Sequence, residues 1–125
     1  MREITKEWIE KAEDDFYSAE LLLRGGEHPI PGNSCFHSQQ TAEKYLKAFL
    51  VENEIDFPHT HQLMVLLELC SGVDDSFLTM SQMFRHLESY AIAIRYPGIT
   101  IDSIAAEKAL HTAEIIRKFV RQKLT

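Results

Sequence analysis

The chain has 125 residues, of which 45% are hydrophobic and 26% are charged, and its formal net charge is −6. This composition is typical of one globular domain and excludes an intrinsically disordered chain. The acidic balance argues against a generic nucleic-acid-binding protein, because affinity for phosphate comes mostly from Lys and Arg. Any contact with RNA must therefore use a local basic patch.

The sequence also predicts the cellular compartment and the state of the cysteines. No apolar run approaches the roughly 18 residues that would span a bilayer, and the first residues lack the apolar core of a signal peptide. We therefore expect a cytoplasmic protein with no membrane partner. Cys35 and Cys70 lie in apolar helical stretches without a CxxC pair, a pattern that favours buried, reduced thiols over a disulfide or a metal site.

The first half of the chain contains two amphipathic patterns with helical spacing. Apolar residues recur every three or four positions from residue 5 to residue 24, and Gly25 with Gly26 ends this first predicted helix. A loop that contains two prolines follows. Asn33 or Ser34 is suited to cap a second helix that continues to about residue 53.

The second half of the chain predicts three more helices. Pro58 breaks the chain, Thr60 can cap a short third helix that ends near residue 69, and a fourth helix spans residues 75–94. After a Pro-Gly turn, either Asp102 or Ser103 can cap a last helix.

Together these patterns predict the fold class. Short β-branched alternation is confined to residues 95–102, where Pro97 and Gly98 indicate a turn instead of a strand. We therefore predict an all-α protein, an up-and-down bundle of four long helices plus one short helix, forming a single domain over residues 1–125.

The second predicted helix carries polar residues on both of its faces. Gln39 falls among the apolar residues of one face, so we expect it to be buried and hydrogen-bonded to a neighbouring element. The opposite face is a polar stripe, either a solvated surface or a binding surface, formed by His37, Gln40, Lys44 and Lys47. Phe36 lies at the edge of this stripe as an exposed aromatic residue, which predicts a homodimer formed through this helix.

Four motifs occur in order along almost the whole chain. They are the spacing of Trp8, Ala12 and Asp15, the block CFHSQQTAEKYLKA at residues 35–48, the sequence THQL at residues 60–63, and Arg95-Tyr96-Pro97. Together these motifs resemble the prokaryotic HEPN domain. The resemblance implies a helical bundle that usually forms a homodimer, in a superfamily associated with nucleotides and RNA. Similar members are often encoded beside a minimal nucleotidyltransferase, and some such pairs act as toxin and antitoxin.

The resemblance raises the possibility of ribonuclease activity. Several HEPN branches are metal-independent ribonucleases that use an arginine and a histidine with four to six residues between them. No arginine of this chain has a histidine at that spacing. RNA cleavage needs a group that moves a proton and a cation that stabilises the phosphorane, so this absence favours a non-catalytic binding module. The alternative is a divergent ribonuclease whose catalytic residues are Arg85, Tyr90 and Arg95.

A phosphate-binding site is the main candidate for a ligand site. His37, Lys44 and Lys47 of the second predicted helix share a small bundle with Arg95 and Tyr96, which follow the fourth. If the two groups converge, they supply cations for a phosphate and an aromatic ring for a base. We therefore predict that a nucleotide or RNA binds at these five residues.

The sequence His59-Thr60-His61 invites a metal-site interpretation. Two histidines one residue apart can chelate, but no cluster of carboxylates or cysteines nearby completes a set of ligands. We predict no metal and no cofactor. In this interpretation Thr60 caps the third helix, and His61 packs or hydrogen-bonds against the bundle.

Overall fold

The computed structural model describes the backbone of residues 1–125 and all side chains except those of Ile92 and Ile94. Within this described part the chain is all-helical, without a strand, so the predicted fold class is confirmed. The elements are α1 (Glu3–Arg24), α2 (Pro31–Glu52), α3 (Leu63–Ser71), a 3₁₀ helix (Asp75–Met80), α4 (Ser81–Glu88), α5 (Tyr90–Arg95) and α6 (Ser103–Leu124). None of the described helices combines the length and the apolarity needed to cross a membrane.

The fourth predicted helix is present as three consecutive segments instead of one continuous helix. The Ser81 hydroxyl donates to the Leu78 carbonyl at 2.8 Å, and the Ser89 hydroxyl donates to the His86 carbonyl at 2.6 Å. Side chains that bond back to the preceding turn in this way compete with the backbone ladder and bend helices. The two serines coincide with the two boundaries, from the 3₁₀ helix to α4 and from α4 to α5.

The predicted helix caps are partly corrected. Pro31 occupies the first turn of α2, where its fixed φ favours helix initiation, and Asn33 and Ser34 lie inside the helix. The Ser34 hydroxyl donates instead to the Ala19 carbonyl at 2.8 Å and joins α2 to α1. Asp102 does cap α6, since its carboxylate accepts from the Ala105 amide at 2.8 Å.

Helix α3 begins at Leu63, later than predicted. The Thr60 hydroxyl accepts from the Gln62 amide at 3.1 Å, which closes a local turn before the helix and does not cap it. The loop before this turn folds back along α2, with the Ile55 amide donating to the Leu50 carbonyl at 2.9 Å. As a result, residues of this loop cover one side of α2.

Helix α2 is the centre of the bundle and packs against α1, α3 and α6. Its buried side chains therefore lie on nearly all of its sides, among them Cys35, Tyr45, Leu46 and Leu50. Helix α6 buries one face, whose apolar members include Ala109, Ala113, Ile116 and Val120.

Both cysteines are buried free thiols, as the sequence predicts. Burial raises the pKa of Cys35 to about 11 and that of Cys70 to about 12.

Candidate functional site

A surface groove of about 630 Å³ lies between α2, the loop before α3, and the α4–α5 segment. Its walls combine an aromatic ring, side-chain amides, two imidazoles, a hydroxyl, a carboxylate and a guanidinium. The lining residues are Phe36, Gln39, Gln40, His59, Thr60, His61, Gln62, Glu88, Ala91 and Arg95. These residues come from three separate stretches of the sequence, so only the folded chain brings them together.

Arg95 is the cation that the groove presents to solvent. It is the last residue of α5 and is exposed. Arg117 and Arg121 of α6 both pair with Glu13 of α1, whereas Arg95 has no such pair within the described residues. A guanidinium without a carboxylate partner is free to bind an incoming anion.

One face of α2 supplies Phe36, Gln39 and Gln40 to the groove. Phe36 is 40% exposed, as predicted for a residue on an open surface. Gln39 is 7% exposed, which confirms its predicted burial. No hydrogen bond joins its amide to another group in the described part of the chain, so the predicted tie to a neighbouring element is not found. Instead, Gln39 lines the groove together with Gln40.

A buried ion pair between Glu43 and Lys47, with 3.0 Å between Oε2 and Nζ, lies next to His61 of the groove wall. Lys47 is only 8% exposed, so its predicted place on a solvent-facing stripe is wrong. The reason is that α1 and the loop before α3 cover it: the Lys47 ammonium lies 5.6 Å from the ring centre of Trp8 on α1 and 5.8 Å from that of Phe57 in the loop. These rings cover the lysine and favour its positive charge.

His61 connects this ion pair to the groove. Its Nδ1 lies 3.1 Å from Glu43 Oε1, and its side chain is 71% exposed. Because an ionised carboxylate only accepts hydrogen bonds, Nδ1 must be the donor and must carry a hydrogen. The histidine predicted to pack against the bundle is therefore anchored at one nitrogen and open at the other side of the ring. Its position depends on the folded-back loop, for which the sequence has no local signal.

His37 and Lys44 form a separate cluster on the other side of α2. Both contact the carboxylate of Asp15 on α1, His37 through Nδ1 at 2.7 Å and Lys44 through its ammonium. Neither residue lines the groove that contains Arg95. The predicted five-residue site is thus divided: Arg95 lies in the groove, Lys47 lines a different groove with Trp8 and Phe57, and His37 and Lys44 lie at the α1–α2 contact.

Tyr96, the fifth predicted site residue, follows Arg95 and is 60% exposed. It is not among the residues that line the groove. The next turn uses Gly98, whose φ of +91° is accessible to glycine and strained for other residues. A role for Tyr96 in ligand binding stays a prediction.

The three residues of the ribonuclease alternative lie on α4 and α5. The Tyr90 hydroxyl lies 3.0 Å from His86 Nε2, whose ring contacts the Thr112 hydroxyl of α6 through Nδ1 at 3.1 Å. Burial raises the pKa of Tyr90. Arg85 is exposed, and of the three residues only Arg95 lines the groove.

A larger groove of about 960 Å³ lies where the two chain ends meet. Its cation, Lys123, is paired with Asp74 at 2.8 Å. The hydrogen bond from Lys123, together with those from Ser76, holds the pKa of Asp74 at about 2. Because this lysine is already neutralised, the smaller groove with Arg95 is the better candidate for anion binding.

Comparisons with known proteins agree with the fold. The HEPN domain family matches residues 5–123. A Methanocaldococcus jannaschii protein described as "Putative toxin MJ1304" is 26% identical over 138 residues, covering 94% of this chain and 89% of that protein. The crystal structure of TT1696 from Thermus thermophilus superimposes with a TM-score of 0.75 at 25% identity, covering 95% and 97% of the two chains. ST0689, described as an archaeal HEPN homologue, gives a TM-score of 0.74 at 23% identity over the full length of both chains.

Proposed function

Since this chain belongs to the HEPN domain family, we propose that it is a homodimeric, non-catalytic binding module. Its ligand carries a phosphate, as in a nucleotide or the end of an RNA, and binds in the groove that contains Arg95. The observation that carries this proposal is the exposed Arg95 guanidinium in the same groove as the Phe36 ring and the amides of Gln39 and Gln40.

The chemistry of the groove suits such a ligand. A guanidinium binds phosphate through two parallel hydrogen bonds, an aromatic ring stacks on a base, and side-chain amides recognise base edges. The volume of about 630 Å³ falls within the range of roughly 300–1,000 Å³ that is typical of small-ligand sites. The acidic character of the rest of the chain disfavours phosphate binding elsewhere.

Isothermal titration calorimetry with AMP and with a short RNA tests this site. We expect Arg95→Ala to weaken binding at least tenfold, because a charge-assisted hydrogen bond contributes roughly 1.5–3 kcal/mol. Arg121→Ala is the matched control, since this arginine is paired with Glu13 at 3.2 Å and lies outside the groove. Equal affinities for wild type and Arg95→Ala would contradict the proposal.

The same RNA tests the non-catalytic part of the proposal. The chain lacks the arginine-histidine spacing of the HEPN ribonucleases, so we expect labelled RNA to remain intact during incubation with the protein. Cleavage that disappears in Arg95→Ala would instead support the divergent ribonuclease.

The proposed partners are a second copy of this chain and a minimal nucleotidyltransferase. Membership of the HEPN family supports a homodimer, and the toxin-like description of the M. jannaschii relative supports a toxin–antitoxin pair. Light scattering at micromolar concentration should give twice the 14.4 kDa of the chain. A monomer would exclude the dimer, and failure to copurify with a coexpressed nucleotidyltransferase from a neighbouring gene would exclude that partner.

A further inference from the structure

We propose that His61 is a second phosphate ligand, which acts only when it is protonated, and that the groove therefore selects a phosphomonoester dianion and takes up one proton on binding it. This inference rests on the proposed function, because it requires the groove with Arg95 to hold a phosphate. It adds the chemical form of the ligand and a dependence on pH.

The contact between His61 and Glu43 determines which nitrogen can meet the ligand. Nδ1 lies 3.1 and 3.2 Å from the two oxygens of a carboxylate that is 3% exposed. Glu43 thus keeps the hydrogen of a neutral imidazole on Nδ1. Nε2 then carries a lone pair and repels a phosphate oxygen. Only after protonation does Nε2 become a donor, so an anion bound at this position must bring a proton onto His61.

Charged and titratable groups lie near His61 on each element around the groove. The carboxylates are Glu43 of α2 and Glu88 of α4. The cations are Arg95 of α5 and Lys47 of α2, which pairs with Glu43, and His59 of the same loop is a second imidazole. A dianion bound in the groove lies beside Arg95 and attracts the positive charge of a protonated His61, so binding and protonation favour each other.

The same arrangement favours a terminal phosphate over a bridging one. A phosphomonoester carries up to two negative charges and three terminal oxygens, so it can accept from Arg95 and His61 at once. A phosphodiester carries one charge and two terminal oxygens. We therefore expect AMP to bind at least tenfold more tightly than 3′,5′-cyclic AMP, and adenosine to bind more weakly than both.

Calorimetry between pH 7 and pH 9 isolates the histidine, because the phosphate of AMP ionises near pH 6 and keeps its charge over this range. Uptake of one proton predicts that the affinity for AMP falls as pH rises, approaching about tenfold for each pH unit. Titrations in two buffers with different ionisation enthalpies should give about one proton per AMP bound. A value near zero would overturn the inference.

Two single variants assign the proton. His61→Gln should abolish proton uptake and leave the part of the affinity that depends on Arg95. His59→Gln is the matched control, since His59 lines the same groove and is also exposed, but makes no contact with Glu43 within the described residues. Proton uptake that survives in His61→Gln and disappears in His59→Gln would assign it to the wrong histidine and contradict the inference.

A third variant tests the role of Glu43 itself. An amide at this position can donate to Nδ1, so neutral His61 would present an Nε2–H donor at any pH. Because Lys47 would then be buried without a counter-charge, the change is made as Glu43→Gln with Lys47→Met. We expect this variant to bind AMP with little dependence on pH, and dependence equal to that of wild type would contradict the inference.

Failure of the inference can be separated from failure of the proposed function. If AMP binds, and binding requires Arg95 but takes up no proton, only the role of His61 is wrong. If AMP and a 5′-phosphorylated RNA do not bind at pH 6, 7 or 8, both proposals fail.

Discussion

Two carboxylates in this bundle each contact one histidine and one lysine, but their surroundings differ. Asp15 contacts His37 and Lys44, and Glu43 contacts His61 and Lys47, with Nδ1 as the contacting nitrogen of each histidine. Around Asp15, both partners belong to α2, so the cluster joins two long helices. Around Glu43, the lysine belongs to the same helix and the histidine to a loop on the groove wall.

The two histidines have different surroundings although each contacts a carboxylate through Nδ1. The His37 side chain is 29% exposed between two packed helices, while the His61 side chain is 71% exposed. A histidine between rigid helices has little room for a ligand. His61 is held at Nδ1 by Glu43 and its ring is otherwise exposed, so it can change its hydrogen bonds without moving the helices.

The largest effect is expected from removing the deeper carboxylate. Glu43→Ala leaves the Lys47 ammonium, with a side chain that is 10% exposed, without a counter-charge. Breaking a buried pair in this way costs roughly 3–5 kcal/mol in the free energy of unfolding. Urea denaturation checks this value. Glu43→Ala with Lys47→Met should recover most of the loss, and a single variant as stable as wild type would mean that water reaches Lys47.

Removing the other carboxylate should cost less. Asp15→Ala leaves Lys44 and His37 without their partner, but their side chains are 24% and 29% exposed and can be hydrated. We expect a loss of about 2 kcal/mol, between the values for exposed and buried pairs. A double-mutant cycle with Lys44→Ala measures the coupling. A coupling energy of zero would mean that this cluster does not stabilise the packing of α1 on α2.

Glu13 is a reference carboxylate whose partners include no histidine. It accepts from Arg117 at 2.6 and 2.7 Å and from the Tyr45 hydroxyl at 2.6 Å. Burial opposes its ionisation, but the hydrogen bonds from Arg117 and Tyr45 prevail and lower the pKa of Glu13 below its ordinary value. A lowered pKa stabilises the fold above the unfolded-state value, and this stabilisation is lost as pH falls through the folded-state value.

Glu13→Gln should therefore reduce the free energy of unfolding by about 1–2 kcal/mol at pH 7. This value is that of a charge-assisted hydrogen bond, reduced because the pair is partly exposed to solvent. The difference from wild type should shrink as pH falls from 5 to 2. Thermal denaturation across this range is the measurement. A difference that stays constant with pH would show that the carboxylate charge contributes nothing.

The smallest effect is expected on the affinity for AMP when His37 is replaced. His37→Gln should change the affinity for AMP less than twofold at pH 7, because His37 lies outside the groove. His61→Gln should weaken AMP binding several-fold in the same calorimetric titration. If His37→Gln has the larger effect, the functional histidine lies at the α1–α2 contact.

The helices themselves follow from local patterns in the sequence. Apolar spacing is sufficient to predict α1 and the buried face of α6, because each helix buries one face against α2. The prediction that Asp102 caps α6 was correct. A capping side chain and the amide that it accepts from, here that of Ala105, lie only three residues apart in the sequence, so local sequence is enough to predict the cap. Ser34 was not correctly predicted, because Pro31 starts the helix earlier and the Ser34 hydroxyl meets a neighbouring helix instead.

The site depends on contacts that no local pattern contains. The spacing of the polar residues on α2 places them on one face of the helix. Lys47 is nevertheless buried, because Trp8 and Phe57 cover it from other elements. His61 reaches Glu43 only because the loop before α3 runs back along α2. The position of Arg95 at the end of the predicted fourth helix was correct, but its partners in the groove required the folded chain.

The rates at which the two buried thiols are alkylated can report how often this bundle opens. Thiolates, not thiols, react with alkylating reagents, and the native pKa values of about 11 and 12 keep both cysteines protonated at pH 8. Modification must therefore pass through conformations that expose α2 at Cys35 or the α2–α3 contact at Cys70, where Sγ lies 3.6 Å from the Leu46 carbonyl. Because each cysteine occurs in a different tryptic fragment, mass spectrometry of the labelled protein would time the two openings separately, without any engineered probe.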